Sequence, residues 1–212
     1  MVYDNGMIRL SLTFDDGPNT KATLDILDIL DEYKIPASFF LVGKNISEQT
    51  APVIEREVRQ GCSVECHSFS HKAFPSLSAE QMRQEIQSTN ALIEQYTKTK
   101  PLFFRPPYIA LNDLMFRTIN MPFIAGFGVQ DWLEEISVEE RVQKIMQNAR
   151  DGQIILLHDQ SENQKTVETV RQIVPALKKR GAVFYNIRQL FAECGIDPMS
   201  GHDKNKIWTD LL

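Results

Sequence analysis

Cysteine is scarce in this sequence. There are three among 212 residues, and an odd number cannot all pair with one another. A chain of this length can bury a sufficient core without disulfide bonds, so Cys62, Cys66 and Cys194 are predicted to be reduced, buried thiols. The sequence also has no internal repeat, low-complexity tract or linker. These absences exclude a disulfide scaffold and a repeat array, and the length predicts one domain spanning residues 1–212.

Long apolar runs and an excess of positive charge are also missing. No stretch approaches the roughly 18 apolar residues of a membrane-spanning helix. The formal net charge is −5, from 23 basic and 28 acidic residues, and the basic residues are scattered, which argues against nucleic acid as a partner. Residues 1–6 carry no signal-peptide pattern. The sequence as it stands is therefore typical of a cytoplasmic protein, and secretion would require a preceding leader. Nothing in it predicts an oligomeric state.

The sequence does contain short apolar runs that alternate with longer segments of helical period. Capping boxes at Ser78/Gln81 and Ser137/Glu140 predict two of the helix starts. This alternation is typical of βα units around a parallel sheet, and it predicts an α/β fold, a distorted (β/α) barrel of seven or eight strands. Residues 197–212 would be a C-terminal extension that docks on the body or on a neighbour. The predicted strands are residues 8–14, 37–42, 62–66, 102–104, 123–127, 154–157 and 182–185.

Most of the reactive side chains follow directly after a predicted strand. In a parallel barrel the loops after the strands converge at one mouth, where active sites lie. We therefore expect these side chains to meet there. The residues concerned are Asp15, Asp16, His67, His71, Arg105, Asp131, Trp132, His158 and Asp159.

Two pairs among these residues point towards a metal site. His67 and His71 are four residues apart, a spacing that directs both imidazoles to one side of a helical turn. Asp15 and Asp16 are adjacent carboxylates, which repel each other unless a cation or base chemistry occupies the site. Two structural interpretations remain open, namely a pair of core histidines and a simple turn at residues 16–19.

Five ordered segments together resemble the polysaccharide deacetylase family, which shares the NodB homology domain and is also called carbohydrate esterase family 4. The resemblance spans residues 13–159 and implies a NodB-type distorted (β/α) barrel. The segments are Thr13-Phe14-Asp15-Asp16-Gly17-Pro18-Asn19, His67-Ser68-Phe69-Ser70-His71, Arg105-Pro106-Pro107-Tyr108, Asp131-Trp132 and Leu156-Leu157-His158-Asp159.

The resemblance implies one divalent metal ion, usually zinc, held by Asp16, His67 and His71. Two imidazoles and a carboxylate leave coordination positions open, as catalytic zinc sites do. Cobalt, manganese, nickel or iron could bind the same ligands. A closed zinc site that uses Cys62 and Cys66 is the rival interpretation, and strand alternation argues against it because both thiols would face away from His67.

The resemblance also implies roles for the remaining motif residues. Asp15 would be the general base and His158 the general acid. Arg105 would hold Asp15 through charge-assisted hydrogen bonds, and Asp131 would orient His158.

Three further residues would shape the substrate pocket. The backbone N–H of Tyr108 would bind the oxyanion, as the resemblance implies. Trp132 would either line the sugar subsite or pack beneath His158. Leu157, together with Tyr108, would wall the pocket for the acetyl methyl group.

The leading functional expectation is a hydrolase that deacetylates N-acetylated amino sugars in chitooligosaccharides or peptidoglycan. An O-acetyl esterase acting on acetylated xylan is the nearest alternative, and a sugar-binding member without turnover is a third. In each case the partner is an acetylated carbohydrate. Ile109 and Gly128 depart from the family pattern, where glycine and an acidic residue are common, and this leaves substrate choice open.

Overall fold

The computed structural model describes residues 7–212, apart from the side chains of residues 201, 203 and 204. The N-terminal segment considered above, residues 1–6, lies outside this range. The described strands are β1 (Ile8–Asp15), β2 (Ser38–Leu41), β3 (Ser63–Cys66), β4 (Phe123–Ile124), β5 (Phe127–Gly128), β6 (Gln153–His158), β7 (Ala182–Phe184) and β8 (Ile207–Trp208). The α-helices are α1 (Ala22–Tyr33), α2 (Ala51–Arg59), α3 (Ala79–Thr97), α4 (Asp113–Thr118), α5 (Val138–Asn148), α6 (Gln164–Lys179) and α7 (Ile187–Glu193).

The strands form a distorted parallel barrel, as predicted. The main sheet has the order β3-β2-β1-β6-β5, and β7 pairs with the first residues of β1. Phe104 bridges Cys66 of β3 and Phe123 of β4, so a single residue stands where a strand was predicted. Because β4 and β5 follow each other in the chain and β5 pairs with β6, the ring of strands returns to its starting point.

The predicted strand at residues 123–127 is divided into β4 and β5 by Gly126. Its φ is +99°, a conformation that side chains rarely adopt, and an added Cβ would lie 3.1 Å from the carbonyl oxygen of Ile154. Glycine therefore lets the chain bend here while it stays against β6.

The predicted strand at residues 102–104 was wrong in extent. The backbone N–H groups of Leu102 and Phe103 donate to Oε2 of the buried Glu65, at 2.8 and 3.0 Å, instead of pairing with a strand. Arg188 anchors Glu65 in turn, with Nε 2.6 Å from Oε1. The buried Glu65 carboxylate thus accepts from the two backbone N–H groups that would otherwise pair with a neighbouring strand.

Side chains along β1 alternate between the apolar core and the interior of the barrel. Leu10, Leu12 and Phe14 lie in the main apolar cluster with side chains of α1 and α6. Successive strand residues point to opposite faces, so Thr13 and Asp15 face the barrel interior. The period of two therefore places Asp15 at the mouth of the barrel.

The C-terminal segment packs on the body of the same chain. Trp208 and Leu211 are buried, and the backbone carbonyl of Trp208 accepts a hydrogen bond from the N–H of Ala125 at 2.7 Å. Helices α3 and α5 begin at the predicted capping boxes, with both reciprocal bonds formed. Within residues 7–212, no helix combines the length and apolar character needed to cross a bilayer.

Candidate active site

The register between β1 and β6 sets the predicted base beside the predicted acid. Asp15 and His158 are paired partners at the carboxyl ends of these strands. Neighbouring strands lie about 4.8 Å apart, so the two side chains enter the barrel mouth side by side. Strand pairing alone thus brings together residues 143 positions apart in the sequence.

Asp16, His67 and His71 converge on a common point. Asp16 Oδ1 lies 3.6 Å from His67 Nε2 and 3.3 Å from His71 Nε2. One potential ligand atom from each residue lies within 4.8 Å of the other two. His67 Nδ1 is 2.7 Å from the carbonyl oxygen of Arg105, so Nδ1–H donates there and the lone pair of Nε2 faces the site.

The spacing of these three residues fits a divalent metal ion. Zinc bonds of about 2.0–2.1 Å place the ligand atoms of a tetrahedral site about 3.4 Å apart, close to the separations from Asp16. Among the described residues, no cysteine belongs to this cluster. Cys62 and Cys66 are buried free thiols, and burial raises the pKa of each to about 12. The rival cysteine–zinc interpretation therefore has no support.

The segment that carries the two histidines is a turn, and the predicted helical turn was wrong. Ser68 and His71 have φ values of +68° and +57°, in the left-handed region. Glu85 of α3 holds the turn, because its carboxylate accepts from the N–H of Phe69 and from the N–H and hydroxyl of Ser70, at 2.6–2.9 Å. An acid from a distant helix thus fixes the loop that presents His71.

Asp15 is held in a buried ion pair. Arg105, which is fully buried, donates from Nη1 to Asp15 Oδ1 at 2.6 Å and from Nη2 to the hydroxyl of Thr13 at 2.8 Å. The guanidinium also lies 4.1 Å from the ring centre of Phe40. Burial alone would raise the pKa of Asp15, but the charges of Arg105, His67 and His158 outweigh it and lower the pKa. Asp15 is therefore an anion at neutral pH.

Replacing Arg105 with methionine should destabilise the fold strongly, because Asp15 would remain a buried charge without its partner. We expect a loss of about 3–5 kcal/mol in the free energy of unfolding, measured by chemical denaturation. The control is Arg56→Met, which removes a surface pair with Asp28 and should cost at most about 1 kcal/mol. Equal small losses in both variants would show that the pair around Asp15 is not a buried ion pair in solution.

His158, which is partly buried, forms a second ion pair with the buried Asp131. His158 Nδ1 lies 2.8 Å from Asp131 Oδ1, and Asp131 Oδ2 accepts from the His158 backbone N–H and the Thr166 hydroxyl. Burial disfavours the charged ring, but the hydrogen bond and the charges of Asp131, Asp15 and Asp16 raise the pKa of His158 to about 9. In this arrangement the imidazole is in its charged form at neutral pH, and among the described residues its Nε2–H has no hydrogen-bond acceptor.

The sequence segments that contain Asp15-Asp16-Gly17 and His158-Asp159 pack against each other at Gly17. An added Cβ at Gly17 would lie 2.6 Å from Asp159 Oδ2, so a side chain there would collide with the buried carboxyl. The Asp159 N–H donates to the Asp15 carbonyl at 3.0 Å, and the Thr23 hydroxyl donates to the Asp159 carboxylate. This packing fixes the turn that carries Asp16.

Tyr108 and Ile109 both lie in the left-handed region, with φ values of +60° and +51°. For a β-branched residue such as Ile109 this is a strained conformation, of the kind that occurs at functional sites. Among the described residues, no acceptor takes the Tyr108 backbone N–H. The Tyr108 ring is 70% exposed and stands edge-on to His71, with centroids 4.7 Å apart.

A cavity of about 590 Å³ opens over these groups. Trp132 lines it and also contacts the ring of His158, with centroids 5.1 Å apart, as predicted for packing against that ring, while its role in a sugar subsite stays a prediction. Leu157 is fully buried in the main apolar cluster and does not line the cavity, so the prediction that it walls the acetyl pocket was wrong. Leu156 lines the cavity instead, because it lies on the same face of β6 as His158.

Sequence reasoning missed a residue that contacts the Asp16 carboxylate. Gln160 Nε2 donates to Asp16 Oδ2 at 2.7 Å, which leaves Oδ1 directed towards the two histidines. Asn45 supports the same turn by donating to the Asp16 carbonyl at 2.7 Å. A signal for Gln160 was present, since it follows His158 and Asp159 at the end of β6. Asn45 and Glu85 carry no comparable signal.

Comparison with known proteins agrees with this geometry. The bifunctional xylanase/deacetylase of Pseudobutyrivibrio xylanivorans is 39% identical over 95% of this chain, which spans 33% of that relative's length. The peptidoglycan-N-acetylglucosamine deacetylase of Bacillus cereus is 31% identical over 85% of this chain and 87% of its own. The family 4 acetyl xylan esterase of Clostridium thermocellum, solved with a cobalt ion, has a TM-score of 0.91 and 35% identity, covering 96% of this chain and 98% of its own. A family model described as polysaccharide deacetylase matches residues 4–121, more than half of the sequence, and the chain belongs to that family.

Proposed function

We propose that this protein is a metal-dependent hydrolase that removes acetyl groups from an acetylated polysaccharide, with acetylated xylan as its substrate. One observation carries the proposal. The carboxylate–histidine–histidine cluster, Asp15 paired with Arg105 and His158 paired with Asp131 border a single open cavity. Acyl-group hydrolysis needs these parts, namely an electrophilic site, a base and a proton donor.

Asp16, His67 and His71 would hold the metal ion, and zinc is the ion we propose. Such an ion supplies Lewis acidity, which polarises a carbonyl group and lowers the pKa of water. The cobalt ion in the Clostridium thermocellum relative supports a divalent cation without fixing its identity. Residues of this chain supply the remaining steps.

Asp15 would accept a proton from the attacking water as the water oxygen bonds to the acetyl carbon. Its anionic state and its fixed position beside Arg105 suit this role. The N–H of Tyr108, for which the described part of the chain offers no acceptor, would donate to the carbonyl oxygen as that oxygen gains negative charge. His158 Nε2 would then protonate the departing sugar oxygen, which yields acetate and a free hydroxyl group.

Two relatives support the choice of substrate. The names of the Pseudobutyrivibrio and Clostridium proteins refer to xylan, and these proteins match 95% and 96% of this chain. N-acetylated amino sugars, the leading expectation from the sequence, are the second candidate. The Bacillus cereus relative acts on such a sugar by name, and the protonated His158 suits an amine leaving group, which cannot depart readily as an anion.

A substrate panel separates these candidates. Acetate release would be measured from acetylated xylan, N-acetylated chitooligosaccharides and peptidoglycan, each with chelator and with metal added back. We expect metal-dependent release that is fastest from acetylated xylan. Faster release from either N-acetylated substrate would establish the second candidate. Binding of oligosaccharide without acetate release from any substrate would identify a carbohydrate-binding member that lacks turnover.

Replacing Gln160 with alanine should weaken metal binding. Without the hydrogen bond to Oδ2, the Asp16 carboxylate can rotate away from His67 and His71, and losses of this kind typically cost about 10–100-fold in affinity. Calorimetric titration of chelator-treated protein with zinc measures the change directly. Gln172→Ala, at an exposed helix position paired with Glu168, is the matched control. Equal zinc affinity in wild type and Gln160→Ala would exclude this positioning role.

A further inference from the structure

A second cleft, of about 650 Å³, adjoins the candidate active site. It shares four wall residues with the cavity described above: Asp16, His71, Tyr108 and Gln160. The two openings therefore lie on either side of the metal-site residues. The rest of the second wall is mostly polar, whereas Trp132, Leu156 and Ile109 give the first an apolar side. A substrate longer than one sugar would extend into this second cleft.

Lys44 brings a positive charge to this wall. Its side chain is exposed, and among the described residues no carboxylate forms an ion pair with it. Lys21 and Glu162, which follow the wall residues Thr20 and Ser161 in the sequence, neutralise each other, with Nζ and Oε1 2.6 Å apart. The remaining charge in the cleft is that of Asp16, which a bound metal cation would offset. The cleft therefore favours a negatively charged ligand.

The wall that carries Lys44 is held in place before any ligand arrives. The backbone N–H groups of Gly43 and Lys44 donate to the carbonyls of Ser68 and Phe69, both at 2.9 Å. These bonds tie the Lys44 segment to the turn that presents His71. The backbone position of Lys44 is thus coupled to the turn that presents His71, and little backbone ordering is needed on binding.

We propose that this cleft binds a sugar next to the acetylated one and that Lys44 recognises a carboxylate on that neighbouring residue. The inference rests on the proposed function and narrows its substrate class to acidic polysaccharides. Two substrates offer this chemistry: xylan with glucuronic acid branches, and peptidoglycan glycan strands in which the lactyl carboxyl of a muramic residue is free of its stem peptide. Asn45 and Gln49 add amide groups to the same wall that can contact sugar hydroxyls.

Paired substrates test the proposal. One pair is acetylated xylotetraose with and without a glucuronic acid branch, and the other is N-acetylated chitotetraose against a glycan tetramer containing N-acetylmuramic acid. For wild type we expect kcat/KM to be about fivefold higher for the acidic member of one pair, the size of an exposed ion pair. The pair that shows the preference identifies the source of the carboxylate.

Lys44→Met should bring that ratio close to one, and Lys21→Met, which removes an equal charge from a residue that does not line the cleft, should leave it unchanged. Higher salt should shrink the wild-type preference because the contact is exposed. Equal ratios in wild type and Lys44→Met would overturn the inference, and so would an equal loss in Lys21→Met.

A binding measurement separates failure of this inference from failure of the proposed function. Calorimetry with deacetylated ligands does not depend on turnover. One pair of ligands is deacetylated xylotetraose with and without the branch, and the other is deacetylated chitotetraose and the deacetylated muramic-containing tetramer. Tighter binding of an acidic oligosaccharide by wild type but not by Lys44→Met would support the site even if no substrate releases acetate. Equal binding within both pairs would overturn it, whatever the activity.

Discussion

Replacing Asp15 with asparagine is expected to reduce kcat by about 1,000-fold or more. General-base catalysis contributes about 10²–10⁴-fold, and an amide cannot accept the proton of the attacking water. The amide oxygen can still accept the hydrogen bond from Arg105, but the buried guanidinium loses its counter-charge, so the variant should fold with a lower free energy of unfolding than wild type. Metal content, measured on the same sample, should stay close to that of wild type because Asp16, His67 and His71 are intact.

The control for this variant is Asp31→Asn, which removes an exposed carboxylate paired with Lys34. It should retain wild-type kcat and metal content. If Asp15→Asn instead lost its metal while Asp16→Asn kept both metal and activity, the two aspartates would have exchanged roles. Substantial turnover by Asp15→Asn with full metal content would exclude Asp15 as the base.

Replacing His158 with alanine should slow substrates in proportion to their need for a proton donor. We expect kcat on a sugar acetate or acetamide to fall about 10²–10⁴-fold. The loss on an activated aryl acetate should be much smaller, because its leaving group departs without protonation. The Asp131 carboxylate would lose one hydrogen bond but keep that from Thr166. Equal losses on both substrates would count against the general-acid role.

The pH dependence follows from the direction of the His158 shift. The pKa of His158 is raised to about 9, and a general acid works only while protonated, so activity should fall as pH rises through that value. A bound cation offsets the charges of Asp15 and Asp16, which help to raise this pKa. In the metal-loaded enzyme the fall in activity should therefore occur below pH 9. Asp131→Asn should move it further down, because the carboxylate that stabilises the imidazolium is lost.

The parts of the site that lie on strands were predictable from the sequence. Strand ends in a parallel barrel converge, and this rule located Asp15, Asp16, Arg105 and His158 before any distance was known. The same period of two would have placed Leu157 in the core and Leu156 in the pocket. That correction needed only the observation that Leu156 and His158 share a face of β6.

The parts that depend on long-range side-chain contacts were not predictable. The His67–His71 turn owes its shape to Glu85 on α3, and the backbone at residues 102–103 bonds to Glu65 instead of forming a strand. Neither glutamate has a local pattern that names its partner. Tertiary hydrogen bonds overrode the helical spacing in one case and the apolar run in the other.

We expect deacetylation by this chain to depend on one divalent ion held by Asp16, His67 and His71. The most direct test is a titration of chelator-treated protein with zinc, in which bound metal and acetate release from acetylated xylan and chitooligosaccharides are followed on the same sample. Acetate release should rise in proportion to metal occupancy and level off at one ion per chain, and His71→Ala should show neither tight binding nor release. Full acetate release by the metal-free protein would contradict this dependence.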